Sequence, residues 1–426
     1  MLETSSTAQV GAAAAAPLPL EGIVVLDMSG ALGNYCGKLF ADLGANVILI
    51  EPLAGAATRW MEPKIDGRAD AEASLTFAYN NTNKRSICLD LDRLDGQEIF
   101  RQMVAGAHLL IETERPGVME ARGLGYDALR KIAPRLVMTS ITPFGQSGPY
   151  AQWQAEDIVG MALGGMLSLG GYFDSPPLAA YGYQAFAAAN LFGAVATLAA
   201  VYEAEVSGSG QHVDVSMQEC VVMGMENAVQ FFELEGTIRK RNAGQQRQAG
   251  TGVFECKDGS VYLMAGGIGA NRFWGTTVQW LLDEGVEGAE DLQDSRWAKV
   301  DYLATDEAKE AFKNIFNRFA RNLTKLELYT RGQARRIPIA PINNTADILQ
   351  SRQLQNRGFF VQAMLEGVAS DGKQFVMPGA PYKLSATPWR LRRGAPKLGE
   401  HTGEVLAEFG ISQKRQQQLQ QQGVVR

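Results

Sequence analysis

Covalent catalysis needs a side chain that can attack and surroundings that activate it, and this 426-residue chain offers few such sets. Only three histidines occur, His108, His212 and His401. His108 starts an apolar run, and His212 lies inside the alternating stretch Gln211-His212-Val213-Asp214-Val215, so both positions suit structural histidines. Neither a Gly-x-Ser-x-Gly elbow nor a His-Glu-x-x-His pair is present, which disfavours serine-hydrolase and metal-dependent chemistry. The four cysteines (Cys36, Cys88, Cys220, Cys256) stand far apart, which argues against a disulfide framework and a zinc site and fits a reducing compartment. Carboxylates remain as the nucleophile class. Asp174 sits in Gly170-Gly171-Tyr172-Phe173-Asp174-Ser175-Pro176-Pro177, just after an apolar helix, and Asp157 sits in Ala155-Glu156-Asp157-Ile158. Spacing alone favours structural roles for both, a turn before proline for Asp174 and a helix-terminus partner for Asp157.

The elements that would position these acids alternate between strand and helix. Gly22-Ile23-Val24-Val25-Leu26-Asp27 is a continuous apolar run of the kind buried on both faces of a sheet. A glycine-bearing turn (Gly30, Gly33, Gly37), a helix to about Leu43 and a strand at 46–51 follow. This is a strand–helix–strand unit in which parallel pairing is expected. Its glycines do not follow the Gly-x-Gly-x-x-Gly spacing of a nicotinamide site and read as packing glycines. The alternation continues with strands at 86–91, 108–112 and 135–141 and helices near 94–105, 156–169 and 184–204. After about residue 225 the composition shifts. A polar, basic stretch at 238–250 reads as an exposed loop, and strands at 252–256 and 260–264 flank the turn Lys257-Asp258-Gly259. Helices at 271–283, 305–321 and 324–332 complete a smaller α+β domain.

The chain therefore divides into a flexible tail at 1–19, the first part of a large α/β domain at 20–224, a small α+β domain at 225–340, and a returning segment at 341–426. Forty Lys+Arg against 46 Asp+Glu leave a net charge of −6, so bulk attraction to nucleic acid or to an anionic membrane is not expected. Any anionic ligand must then be held by a local basic patch. The most apolar stretch, 185–201, is rich in small residues and reads as a packed core helix rather than a membrane span. A soluble, cytoplasmic protein is the expectation.

Several segments in consistent order resemble the class III CoA-transferases, the formyl-CoA transferase or CaiB/BaiF family. They include Tyr35-Cys36-Gly37-Lys38-Leu39-Phe40-Ala41-Asp42-Leu43-Gly44-Ala45, Asn83-Lys84-Arg85-Ser86-Ile87-Cys88-Leu89-Asp90-Leu91 and Arg115-Pro116-Gly117-Val118. Gly123-Leu124-Gly125-Tyr126, Phe144-Gly145-Gln146-Ser147-Gly148-Pro149-Tyr150, Gly210-Gln211-His212-Val213-Asp214-Val215-Ser216 and Leu398-Gly399-Glu400-His401-Thr402 continue the match, which spans about residues 20–410.

The resemblance implies a Rossmann-like large domain with a parallel sheet, a smaller α+β domain, and two subunits interlocked as open rings. The partner is a second copy or a homologous subunit. It also implies that Asp174 is the catalytic nucleophile and that Asp157 is not. CoA or acyl-CoA enters as substrate, with no permanently bound cofactor and no metal. The implied CoA contacts are Gly33, Leu89, Asp90, Leu91, Asp92, Thr113, Glu114, Arg115, Arg122 and Thr142, with Lys84, Arg85, Arg115 and Arg122 as candidate phosphate cations. The chain departs from the family pattern at Ala121, where arginine is common, and at Asp92, where some members carry a basic residue. The related 2-methylacyl-CoA racemases use a His where this chain has Glu156 and a later Asp, whereas no Asp occurs from Leu178 to Asn190. An α-proton exchanger needs such an acid/base pair, so the transferase reading is favoured. A third reading is a non-catalytic subunit of a heteromeric transferase, and the retained Asp174 argues against it. Tyr150, Trp153, Tyr172 and Phe173 point to an apolar or aromatic acid substrate of the benzylsuccinate type.

Overall fold

The computed structural model describes residues 17–266, 273–364 and 374–426. Most of the expected N-terminal tail lies outside the described residues, as does the start of the helix expected at 271–283. The described chain forms two compact units. One takes the chain up to Met166, with Ala180–Val229 and Asn356–Arg426; the other takes Leu167–Ala179 and Gln230–Gln355.

In the first unit, β1 (Val24–Met28), β2 (Asn46–Glu51), β3 (Arg85–Cys88), β4 (Leu109–Glu112), β5 (Val137–Thr142) and β6 (His212–Ser216) form one sheet in the order β3-β2-β1-β4-β5-β6. All pairs are parallel. This is the doubly wound order in which ligands bind beyond the carboxyl ends of the strands. The apolar runs behave as parallel strands should, and β3, β4 and β5 are buried at every residue. The third strand stops at Cys88 rather than 91 because the chain turns away to the C-terminal segment. There the Asp90 N–H donates to the Val424 carbonyl at 2.9 Å and Leu89 bridges to Val425.

The glycines of the first turn serve close packing, as their spacing suggested. A Cβ on Gly37 would lie 2.1 Å from Asp27 Oδ2, and one on Gly33 would lie 2.7 Å from Thr113 Cγ2. The helix Gln184–Ser207 is buried along one face only. Ala185, Ala189, Gly193, Thr197, Ala200 and Ala204 form that face, and a Cβ on Gly193 would stand 3.2 Å from Ile141 Cδ1 of β5. Its other face exposes Leu191, Val195, Leu198, Tyr202 and Val206. The expectation of a packed core helix holds for one face and is corrected for the other. Small residues buy close approach to the sheet on one side, while the large apolar ones point away from it.

The second unit contains an antiparallel sheet of β7 (Thr251–Cys256), β8 (Gly259–Met264) and β9 (Ile339–Pro341). The β7–β8 hairpin closes Cys256 against Gly259, around the turn read from Lys257-Asp258-Gly259. Its core gathers Trp280, Trp297, Phe312 and Phe316. The helices Asp306–Ala320 and Lys325–Ala334 start at Thr305 and Thr324, whose hydroxyls accept the N–H groups of Ala308 and Glu327. A further hairpin, β10 (Phe360–Met364) with β11 (Gln374–Pro378), belongs to the first unit and was not anticipated.

Candidate active site

A cavity of about 510 Å³ opens beyond the carboxyl ends of β1, β2, β3 and β4 in the first unit. Seven of the residues expected to touch CoA line it: Leu89, Asp90, Leu91, Asp92, Thr113, Glu114 and Arg122. The Arg122 guanidinium spans its lip, donating to Asp92 Oδ1 at 2.8 Å and to Glu114 Oε1 at 3.1 Å. Two acids that would otherwise repel a phosphate are thereby paired. The Gly30 N–H donates to Thr113 Oγ1 at 2.8 Å, tying the first βα turn to the turn after β4.

The other three expected contacts do not line this cavity. Gly33 packs behind it against Ser29 and Thr113. Arg115 is exposed and forms no ion pair among the described residues. Thr142, the last residue of β5, is buried with its hydroxyl unpartnered.

Two proposed phosphate cations are committed elsewhere. The Lys84 ammonium is fully buried and donates to Asp27 Oδ2 at 2.7 Å, the Asn34 carbonyl at 2.8 Å and Asn81 Oδ1 at 2.9 Å. Arg85 starts β3, at the opposite end of a parallel strand from the cavity, and pairs with Glu404 and Glu408. Neither can hold a phosphate in the cavity, since a cation so enclosed has no donor left to offer.

Sequence reading missed Glu112, the last residue of β4. Its Oε2 accepts the Glu114 N–H at 2.6 Å and so shapes the 113–115 turn. Burial pushes its carboxyl up to about 7, against the opposing hydrogen bonds from Ser140 and Glu114. A lone acid ending an apolar run was the only signal available.

Asp174 belongs to the second unit, in the segment Leu167–Ala179. The turn around it is closed by the Leu178 N–H on the Gly170 carbonyl (3.1 Å) and by a weaker Ser175 N–H bond to the Tyr172 carbonyl (3.4 Å). Gly170 is required there, because a Cβ would meet the Leu178 carbonyl oxygen at 2.2 Å, and Gly171 has φ +97°. The Asp174 carboxylate is exposed, accepts only the Ser175 hydroxyl at 3.3 Å, and forms no ion pair among the described residues. A second missed residue, Arg241, holds this turn from outside. Its Nε donates to the Tyr172 carbonyl at 2.6 Å, and its terminal nitrogens donate to the carbonyls of Ser175 at 2.6 Å and Ser168 at 3.4 Å.

Asp157 plays the structural part its position suggested, but for another helix. Its Oδ1 accepts the Phe186 N–H at 2.9 Å, at the start of the helix Gln184–Ser207. Burial raises its pKa, opposed by the N–H groups of Phe186, Ala185 and Gln184. The histidines are structural too. His108 Nδ1 accepts the Val24 N–H at 3.1 Å, His212 pairs with Ser140 at 2.8 Å, and His401 Nδ1 accepts the Ser86 N–H at 3.3 Å.

Tyr150 and Trp153 stack on each other at 4.1 Å, with Phe144 edge-on to both. A second group of aromatic residues lies elsewhere in the first unit. Tyr35, Tyr79, Tyr183, Phe186 and Leu191 line a mainly apolar cavity of about 510 Å³, with Asn190 at its wall.

The chain is 38% identical over 388 residues to the succinyl-CoA:(R)-benzylsuccinate CoA-transferase subunit BbsE of Thauera aromatica, covering 91% of this chain and 93% of that one. It is 30% identical to the succinyl-CoA–L-malate CoA-transferase beta subunit of Chloroflexus aurantiacus, covering 92% and 94%. The crystal structure of a CaiB/BaiF family protein from Brucella suis matches the fold with a TM-score of 0.80 at 26% identity, covering 92% of this chain and all of that one. The family model of CoA-transferase family III matches residues 20–402, and the chain is a member of that family, an enzyme of CoA transfer.

Proposed function

We propose that the chain moves CoA from succinyl-CoA or a similar acyl-CoA donor to an apolar or aromatic carboxylic acid, with Asp174 as the covalent nucleophile. The Asp174 carboxylate attacks the donor thioester carbonyl, which gives an aspartyl anhydride and CoA thiolate. The thiolate attacks the Asp174 carbonyl, forming an aspartyl-CoA thioester and releasing the donor acid. The acceptor carboxylate then attacks that thioester, and the thiolate finally takes the acceptor acyl group and frees Asp174. Each step exchanges one activated acyl bond for another, so the reaction is close to thermoneutral. The observation that carries this reading is the exposed carboxylate of Asp174, without an ion pair among the described residues, on a turn held by two backbone bonds and an arginine.

The first cavity supports the CoA assignment, and Arg115, which follows its lining residue Glu114 and lies outside the lining itself, is the candidate cation for a phosphate, because Arg122 already serves two acids. The second cavity supports an apolar acid, since its aromatic walls favour burial of a ring. BbsE and the malate-transferase chain are both named as subunits, which supports assembly with a second copy or a homologue. The exposed apolar face of the helix Gln184–Ser207 supports the same reading. We expect that assembly to be interlocked.

The test is a panel of carboxylic acids with succinyl-CoA as donor, using the purified chain. Asp174→Ala should abolish transfer while CoA still binds. Asp174→Glu should also fail largely, because a shift of the attacking oxygen by about 1 Å costs on the order of 100-fold. Hydroxylamine trapping during turnover should modify the peptide containing Asp174. Label on Asp157, or full turnover by Asp174→Ala, would refute the assignment.

A further inference from the structure

We infer that Arg241 is a positioning residue for the reaction, acting as an external clamp on the turn that carries Asp174. The inference rests on the proposed role of Asp174 and goes beyond it to the residue that holds the nucleophile in place. Between Gly170 and Leu178 the chain has only two backbone bonds of its own, one of them long at 3.4 Å. Its side chains add little, since Tyr172, Phe173 and Leu178 are all exposed. A turn so thinly supported would sample many conformations, and each would aim the carboxylate differently.

Arg241 supplies what the turn lacks. Its two 2.6 Å bonds reach the carbonyls of Tyr172 and Ser175, which bracket the dipeptide Phe173-Asp174, and a third bond at 3.4 Å reaches Ser168. Only a planar guanidinium offers donors in several fixed directions at once. Among the described residues Arg241 forms no ion pair, so its donors are given to these carbonyls rather than to a carboxylate. The neighbouring Arg239 is used differently, lying over the Phe231 ring at 3.5 Å. The bonds span 66 to 73 residues of sequence within one compact unit, so they fasten the segment Leu167–Ala179 to the body of that unit.

The consequence falls on the rate of covalent attack rather than on substrate affinity. A nucleophile displaced by about 1 Å loses on the order of 100-fold in rate. Arg241→Ala should therefore lower kcat by about that factor with KM for acyl-CoA nearly unchanged. Arg241→Lys, which can reach one carbonyl at a time, should fall between the two. Millimolar guanidinium added to folded Arg241→Ala should restore part of the turnover, whereas equimolar ammonium should not, and hydroxylamine trapping at Asp174 should slow and recover in parallel. Asp174→Ala is measured alongside, with guanidinium present, and should stay inactive. Wild-type kcat in Arg241→Ala would overturn the clamp while leaving Asp174 in place, and so would a loss that guanidinium cannot restore in protein shown to be folded by circular dichroism. Full turnover by Asp174→Ala would overturn both assignments.

Discussion

Replacing Glu112 by Gln isolates the energetic consequence of a buried acid that accepts the N–H of Glu114, a residue lining the candidate CoA cavity. In the folded chain burial raises this carboxyl from its usual 4.5 to about 7, so it stays protonated through much of the range in which the unfolded chain has released its proton. The stabilising difference is fully present below pH 4.5 and is lost as pH climbs through 7. At 1.36 kcal/mol per unit of pKa, the charged form is disfavoured in the folded state by about 3 kcal/mol. Glutamine keeps an oxygen that can accept the Glu114 N–H but does not titrate. The advantage of Glu112→Gln over wild type should therefore grow by about 3 kcal/mol between roughly pH 4 and pH 8, then level off. Urea unfolding followed by tryptophan fluorescence, at a series of pH values on both proteins, reads that difference directly. Parallel stability profiles would refute the reasoning, for then the carboxyl would have the same affinity for its proton in both states.

Other consequences follow from the same contacts. Arg59→Met should destabilise the first unit by about 3–5 kcal/mol, because it strands Glu51, which accepts from Arg59 at 2.6 and 2.8 Å with neither side chain exposed; a thermal midpoint near wild type would contradict this. Asp157→Ala should cost about 0.5–2 kcal/mol through the lost partner at the start of the helix Gln184–Ser207, with turnover per folded molecule retained. Arg115→Ala should raise KM for acyl-CoA by about 10-fold or more, as loss of a charge-assisted bond does, and an unchanged KM would remove Arg115 from the site. Light scattering should find the chain assembled, with itself or with a homologous subunit, and a stable, active monomer would refute that expectation.

What the sequence disclosed and what it hid divide along physical lines. Strands buried on both faces are visible as apolar runs, and β1, β2, β4 and β5 fall where those runs lie. The β7–β8 hairpin was legible because Lys257-Asp258-Gly259 is a local turn signal. Lys84 misled because Asn-Lys-Arg reads as a surface patch, while burial depends on Asp27, 57 residues away. Arg241 was invisible for a related reason. Its partners are backbone carbonyls, which carry no residue-type signature, and the basic run around it reads as loop. Asp157 was half legible: its helix-terminus role could be read, but the helix it serves is set by tertiary packing.

The return of residues 356–426 to the first unit has a consequence for biogenesis. Val405, Leu406, Leu419, Val424 and Val425 pack in the same core as Leu26, Ile48 and Phe100, and Val425 bridges to Leu89 beside the outer strand β3. During synthesis, every residue of the second unit has been made before these partners leave the ribosome. The smaller unit can therefore settle first, while the sheet that precedes it in sequence waits with one edge bare and its core incomplete. Parallel pairing of long sequence separation is slow to form and prone to association while exposed. A chain released short of its last seventy residues would carry all of its catalytic candidates and still present the unfinished edge of β3 to its neighbours.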